Sequence, residues 1–234
     1  MTEPKVCVVT GVGPGTGSAV VRRFANGGYR VAMLARTAAR LAELEAELPG
    51  AKAYPCDVSD PEQVTHAIDA IEGDLGAPSV LVHNAVGGAF GSFLDIDPQV
   101  LNRNFQVNTM ALLYLARRLA PAMVEAGEGA ILVTGNTSAQ RGRPNFAGFA
   151  PTKAAQRILL ESIARQIGPQ GVHVAYVAID AVIDLPWTRE RWPERPDSFF
   201  AKPAEIAEEV YRIARQPRST WTFDSVIRPF GEPW

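Results

Sequence analysis

The sequence predicts an α/β fold: a doubly wound parallel sheet of seven strands with helices on both faces. Short apolar runs alternate along the chain with helical segments of ten or more residues, which is typical of βαβ units. A glycine-rich turn follows the first apolar run, and a length of 234 residues suits one substantial core. Because βαβ crossovers are right-handed, helices are expected to cover both faces. We expect a single domain over residues 1–234.

The predicted strands are short and apolar, as strands buried on both faces are. They cover residues 6–9, 30–35, 51–55, 79–83, 130–134, 172–179 and 222–228. The predicted helices cover residues 18–27, 37–48, 60–73, 97–126, 149–167 and 203–215. A capping box of Ser59 and Glu62 is expected to open the third helix. Residues 185–202, rich in Pro, Arg and Trp, are predicted to form a substrate loop, with a plain surface excursion as the alternative.

A glycine-rich turn, Thr10 to Gly17, lies between the first predicted strand and the first predicted helix. Glycine tolerates a positive φ and lets the backbone approach a ligand closely, and a helix N-terminus favours an anion. The turn therefore predicts phosphate binding at Gly11, Gly15, Thr16 and Gly17, as in Rossmann-type dinucleotide-binding domains. A glycine-rich turn without a ligand is the alternative, and the flanking strand and helix favour the nucleotide.

Composition and charge exclude several classes of protein. The formal net charge of -2 leaves no basic stripe, so a nucleic-acid partner is not expected. No apolar run approaches the roughly 20 residues that cross a membrane, and the first strand starts too close to Met1 for a signal peptide. Cys7 and Cys56, without a C-x-x-C spacing, indicate free thiols in a reducing compartment, so we expect a cytoplasmic protein. No metal site is expected, because the histidines lack ligand spacing: His66, His83 and His173.

The order and spacing of the motifs resemble the short-chain dehydrogenase/reductase family over essentially the whole chain. Thr10 to Gly17 resembles the T-G-x-x-x-G-x-G turn of that family. Asp57 and Val58 resemble its D-V pair, whose Asp carboxylate accepts a hydrogen bond from the adenine amine. Asn84 and Ala85 resemble the N-A of its N-N-A-G motif, which is flanked here by His83 and Val86.

Three further positions of this family lie between residues 108 and 185. Asn108 falls where the family has the helix Asn that organises a proton-relay water, and Lys153 falls where the family Lys holds the nicotinamide ribose. The family motif P-G-x-x-x-T aligns with residues 180–185, where the Pro, Gly and Thr are all replaced. Ile183 in this segment is still expected to contact the cofactor.

The family's catalytic Tyr and Ser are both absent. The Y-x-x-x-K motif reads Phe149 to Lys153, and the alternative register of the enoyl-reductase branch lands on Phe146. The Ser, thirteen residues before the Tyr, lands on Asn136. Carbonyl reduction still needs a proton donor, and losing a general acid typically costs about 10²- to 10⁴-fold in rate. The predicted catalytic set is therefore Asn136, Lys153, Asn108 and, at the family Tyr position, Phe149.

The end of the second strand indicates which cofactor is preferred. NAD enzymes of this fold usually carry an acidic residue there, whereas this chain has Ala35 followed by Arg36. An arginine pairs with a 2′-phosphate, so NADP is predicted and NAD is less favoured. The alternative for Arg36 is an ordinary solvated charge.

Three functions remain open. The first is an NADP(H)-dependent oxidoreductase acting on a small carbonyl or alcohol, with a non-standard proton donor. The second is a non-redox lyase or isomerase on this scaffold, with Asp180 or Asp184 as the base. The third is a catalytically inactive nucleotide-binding or subunit protein. The helices at 97–126 and 149–167 are apolar on more than one face, which together with the resemblance implies a homodimer or homotetramer.

Overall fold

A computed structural model describes residues 4–231 and contains the predicted parallel sheet of seven strands. The strands of the main sheet are β1 (Val6–Thr10), β2 (Arg30–Ala35), β3 (Ala51–Pro55), β4 (Pro78–His83), β5 (Gly129–Gly135), β6 (Val172–Ile179) and β9 (Asp224–Ile227). Their order is β3-β2-β1-β4-β5-β6-β9, and every neighbouring pair is parallel. The strand order reverses between β1 and β4, which places a ligand crevice at their carboxyl ends.

Helices cover both faces of this sheet, so the predicted doubly wound architecture is confirmed. They are α1 (Thr16–Asn26), α2 (Ala38–Glu47), α3 (Pro61–Leu75), α4 (Pro98–Phe105), α5 (Ala111–Glu125), α6 (Ala150–Ile167), α7 (Pro186–Arg191) and α8 (Pro203–Ala214). The apolar faces of α1, α2 and α8 pack on one side of the sheet, and those of α3, α5 and α6 pack on the other.

The strand β6, which lies between β5 and β9, shows why the sequence forms this sheet. All eight of its residues are buried, as expected for a parallel strand covered on both faces. Because side chains alternate along a strand, Val174 and Tyr176 enter the core under α5 and α6, whereas Ala175 and Val177 enter the core under α1 and α8. A continuous apolar run therefore contributes side chains to the hydrophobic cores on both faces of the sheet.

The long helix expected over 97–126 is present as a continuous helical segment from Pro98 to Glu125, but it contains a π-helical stretch, Gln106–Met110, between α4 and α5, and Asn108 lies within that stretch. The predicted capping box of the third helix was wrong. The third helix is not capped by Ser59, because Pro61 occupies the first helical turn and makes Asp60 the N-cap residue. The Asp60 carboxylate accepts hydrogen bonds from the backbone N–H groups of residues 62 and 63.

The segment after β6 is more ordered than an irregular loop. It contains α7 and a small parallel ribbon of β7 (Val182–Ile183) and β8 (Phe200–Ala201). Asp184 receives charged hydrogen bonds from Arg189 and Lys202, and both cations also contact Asp197. These bonds join the two ends of the segment beside the crevice.

Candidate active site

Two connected cavities occupy the carboxyl edge of the sheet. The glycine groove, about 780 Å³, lies over the turn after β1 and reaches the ends of β2 and β3. The aromatic cavity, about 1310 Å³, lies between the ends of β5 and β6, α7 and the start of α6. Val86, Gly88, Ile183 and Leu185 line both, so a ligand can extend from one into the other.

The glycine turn packs so closely against the end of β4 that side chains are excluded from it. Gly11 has a φ of +68°, and a Cβ added there would lie 2.5 Å from the Cα of Ala85. A Cβ at Gly17 would lie 2.8 Å from the Cα of Val12. The hydroxyl of Thr16 is buried without a hydrogen-bond partner among the described residues, and α1 has no side-chain cap. Free donors therefore face the groove, which suits an anionic phosphate.

Every residue predicted to bind the cofactor, except Lys153, lines the glycine groove. They are Gly11, Gly15, Thr16, Gly17, Arg36, Asp57, Val58, Asn84, Ala85 and Ile183. Arg36 and Arg40 line its far end and form no ion pair with a carboxylate in the described chain. Oδ1 of Asp57 accepts from the N–H and hydroxyl of Ser59. The amide of Asn84 ties the turn to β5, because Nδ2 donates to the Gly11 carbonyl and Oδ1 accepts from Thr134.

Leu185 lies where the resembling family has a Thr, and its side chain covers the glycine turn. A Cβ on Gly15 would lie 2.6 Å from Cδ2 of Leu185. The groove is therefore narrow at this point, and a side chain at residue 15 would have to displace the end of the Leu185 side chain. The residues of the groove therefore fit a dinucleotide. The turn offers free hydrogen-bond donors and a backbone that a ligand can approach closely, and the far end of the groove offers two arginines.

Lys153 lies behind the wall of the aromatic cavity. Its ammonium donates to Oε1 of Gln156 at 2.9 Å, and Nε2 of Gln156 donates to the backbone carbonyl of Asn108 at 2.5 Å. The Asn108 side chain bonds the N–H and carbonyl of Gly87 and the hydroxyl of Thr152. Gln156 thus links two polar positions that match the family motifs, although no motif in the sequence includes Gln156 itself.

Burial changes the protonation of two side chains in this region. Removal from water lowers the pKa of Lys153 to about 7, so the amine and ammonium forms are both populated near neutrality. Burial lowers the pKa of His83 to about 3, with a further contribution from the charge of Lys153. His83 is therefore neutral, and Nδ1 bonds the hydroxyl of Thr10.

Phenylalanines form the wall at both possible tyrosine positions. Phe149 and Phe146 line the aromatic cavity together with Phe90, whose ring centre lies 6.1 Å and 5.1 Å from theirs. The ammonium of Lys153 lies 5.9 Å from the centre of the Phe149 ring. Tyr176 does not replace the missing phenol, because it is fully buried, bonds the backbone of Asn136, and has a pKa raised to about 12 by burial.

Asn136 reaches the aromatic cavity, but its amide is mostly engaged within the fold. Nδ2 donates to the Ile179 carbonyl at 2.9 Å, and Oδ1 accepts from the N–H of Ser138 at 2.8 Å. One amide hydrogen is left for a ligand. The neighbouring hydroxyls of Thr137 and Ser138 also line the cavity, and the sequence analysis did not assign them a role.

Of the two acids considered as bases, only Asp180 lines the aromatic cavity. The hydroxyl of Thr137 donates to its Oδ1 at 2.5 Å. Asp184 is unsuitable as a base, because hydrogen bonds from Arg189 and Lys202 hold its pKa far below the ordinary value. Within residues 4–231, no group of three or more potential metal ligands occurs, and no helix is long and apolar enough to span a bilayer.

The chain belongs to the short chain dehydrogenase family, whose sequence profile matches residues 5–193. The family predicted from the motifs is therefore confirmed. The matched residues include the whole of the glycine groove.

Individual relatives are carbonyl and sugar reductases. D-erythrulose reductase of Gallus gallus is 33% identical over 168 residues, 71% of this chain and 67% of that protein. Carbonyl reductase (NADPH) 2 of Sus scrofa is 31% identical over the same shares of the two chains. The crystal structure of an alcohol dehydrogenase from Thermococcus sibiricus, complexed with 5-hydroxy-NADP, superposes with a TM-score of 0.87, 26% identity and 99% coverage of each chain.

Proposed function

We propose that this protein is an NADP(H)-dependent oxidoreductase that reduces a small carbonyl compound, with Lys153 as the source of the proton. The observation that carries the proposal is the buried ammonium behind Phe149, with a pKa of about 7 and a polar chain through Gln156 to Asn108. A general acid works best when its pKa lies near the working pH.

The glycine groove supports NADP(H) as the cofactor. The amides at the start of α1 and the hydroxyl of Thr16 suit the pyrophosphate, and Arg36 with Arg40 suits a 2′-phosphate. The predicted preference for NADP agrees with the NADPH named for the porcine relative and with the NADP derivative bound to the archaeal one. When bound, this cofactor supplies the hydride.

The chain's own residues would orient the carbonyl and deliver the proton. The hydroxyl of Ser138 and the free amide hydrogen of Asn136 offer donors for the carbonyl oxygen. As the carbon gains its new C–H bond, the oxygen becomes an alkoxide, and an N–H bond of Lys153 breaks to form the alcohol O–H. The proton passes the edge of the Phe149 ring through one water, and solvent returns a proton to the amine.

Lys153→Met tests this assignment through NADPH oxidation followed by absorbance with activated diketones as substrates. We expect a loss of about 10²-fold or more in kcat, because the proton source is removed. In the unmodified protein, kcat for reduction should fall as the pH rises through about 7, since the ammonium is then lost. Lys52→Met, which removes a half-buried lysine that is paired with Asp74 and lines neither cavity, is the matched control. Unchanged turnover in Lys153→Met would exclude Lys153 as the donor.

A second candidate, a non-redox enzyme, is favoured by the Asp180–Thr137 pair in the aromatic cavity. A carboxylate at this position can abstract a proton next to a carbonyl without any hydride transfer. Proton–deuterium exchange into a ketone without NADPH, lost in Asp180→Asn, would support this alternative. Binding of NADP(H) without either reaction would favour the inactive nucleotide-binding protein.

We also propose that the protein forms a homodimer or homotetramer through α5 and α6. The exposed side chain of Ile158 on α6, with Leu113, Leu159 and Ile163 only partly covered, supports an interface there. A cytoplasmic location and a small-molecule substrate belong to the same proposal.

A further inference from the structure

We propose that the substrate carries an anionic group beside a bulky apolar body, and that Arg143, Arg191 and Arg195 bind the anion. This inference rests on the proposed function, because it names the substrate class of the same aromatic cavity. The three arginines, called the guanidinium rim below, line that cavity together with its aromatic wall.

The aromatic wall indicates the apolar part of the substrate. Phe90, Phe146, Phe149, Trp187 and Trp192 all line the cavity. Phe90 and Trp187 are 70% and 60% exposed, so they offer apolar surface that the fold itself does not cover. Exposed aromatic surface around a concave site is typical of a site that encloses an apolar ligand.

The guanidinium rim is left without internal counterions. The guanidinium of Arg191 lies 5.3 Å from the centre of the Trp192 ring, and that of Arg195 lies 4.8 Å from the centre of the Phe199 ring. Within residues 4–231, no member of the rim forms an ion pair or a side-chain hydrogen bond with a carboxylate. Stacking on an aromatic face holds a planar guanidinium while its N–H groups stay available for a ligand.

Other cations of the same segment show the opposite arrangement. Arg189 and Lys202 are both satisfied by Asp184 and Asp197, and these bonds hold the segment together. The segment therefore separates cations that stabilise its own fold from cations that face the cavity. Arg191 and Arg195 belong to the second group.

The carboxylates of the cavity do not cancel the charge of the rim. Asp180 accepts from Thr137 and already has a cation, Arg141, whose Nη2 lies 3.9 Å from Oδ2. Glu190, exposed on α7, is the second acidic residue of the lining. The cavity thus has a positive excess, and arginines bind carboxylate or phosphate groups in a bidentate manner.

The test compares 4-benzoylbenzoate with its neutral amide, because the two differ in charge and share a diaryl body that crosslinks on irradiation. Calorimetric titration of the full-length protein should show the carboxylate binding about tenfold more tightly, as for an exposed charged hydrogen-bond site. The photoproduct should map to residues 143–149 or 186–199. The triple variant R143Q/R191Q/R195Q should lose the preference and keep the amide affinity, whereas the control R212Q, altered at an exposed arginine of α8, should keep both.

Equal affinities for the two probes, absence of binding by both, photoproducts outside the cavity, or a preference that survives in the triple variant would each overturn the inference. These measurements need no turnover, so they are independent of the proposed reaction. Reduction of neutral diketones without a carboxylate preference would reject only the inference. A carboxylate preference in a protein that reduces no carbonyl would reject only the proposed function.

Discussion

Phe149 places an unreactive ring where a phenol would complete a proton-donating site. The ring forms the wall of the aromatic cavity, and the ammonium of Lys153 lies 5.9 Å from its centre. An ammonium at this distance would favour an ionised phenol and lower its pKa. The surroundings of residue 149 would therefore suit a tyrosine, whereas this chain has a phenylalanine there.

Phe149→Tyr is therefore expected to raise NADPH-dependent reduction of quinones and diketones by about 10²-fold, since it restores one general acid. Adding Asn136→Ser should raise the rate of reduction further when the fold tolerates the loss of the hydrogen bond from Asn136 to the Ile179 carbonyl. Phe146→Tyr places the same oxygen on another ring of the cavity wall and serves as the control, with no gain expected. A folded, NADPH-binding Phe149→Tyr protein without any gain would show that the cavity is not built around a carbonyl.

Arg36 is the residue on which the cofactor preference depends. It is exposed at the end of β2 and lines the glycine groove without a carboxylate partner in the described part of the chain. Arg36→Ala should weaken NADP binding by about 1.5–3 kcal/mol, as for a lost charged hydrogen bond, and leave NAD binding nearly unchanged. Calorimetric titration with both cofactors checks this, and an equal loss for both would reject the assignment.

At the scale of elements, the unit β1–turn–α1 depends on close backbone contact between the start of α1 and the turn. A Cβ at Gly17 would lie 2.8 Å from the Cα of Val12, whereas the nearest atom to a Cβ at Gly13 is 4.0 Å away. Gly17→Ala should therefore lower the free energy of unfolding by about 1–3 kcal/mol and weaken NADP binding, because the backbone of the turn must move to admit the methyl group.

Gly13→Ala is the matched control, since it adds the same methyl group to the same turn in open space. Thermal unfolding with and without NADP measures both variants. We expect a lowered Tm and a reduced stabilisation by NADP only in Gly17→Ala. Equal behaviour of the two variants would contradict the packing described for the turn.

At the scale of the whole molecule, α6 carries the exposed apolar side chain that supports an interface between subunits. Leu112, Leu115 and Leu160, on the two helices expected to form an interface, are buried within the chain, whereas Ile158 is 59% exposed. Ile158→Asp should shift the protein towards monomers in sedimentation at micromolar concentration, because it introduces a charge into the proposed interface. Ala39→Asp, with the same charge on α2 across the sheet, should leave the assembly unchanged. A monomeric unmodified protein would reject the interface.

Much of the fold could be predicted because its causes are local. An apolar run such as that of β6 predicts a buried strand. Gly11 and Gly17 predict a tight turn, in which a larger side chain would collide with backbone atoms. Local spacing was less reliable at helix ends: Ser59 and Glu62 have the spacing of a capping box, but Pro61 shifts the cap to Asp60. The π-helical stretch around Asn108 had no recognisable signature in the sequence.

The sequence by itself determined the family, the parallel sheet, the glycine turn and the absence of a phenol at Phe149, since each follows from local motifs and from their order along the chain. Only the tertiary structure decided that Gln156 joins Lys153 to the carbonyl of Asn108, 48 positions earlier. Only the structure separated Asp180, which faces the cavity, from Asp184, which is bound by Arg189 and Lys202. The physical reason is that burial and partners, which set the pKa and the reach of a side chain, arise from distant segments that meet only when the chain is folded.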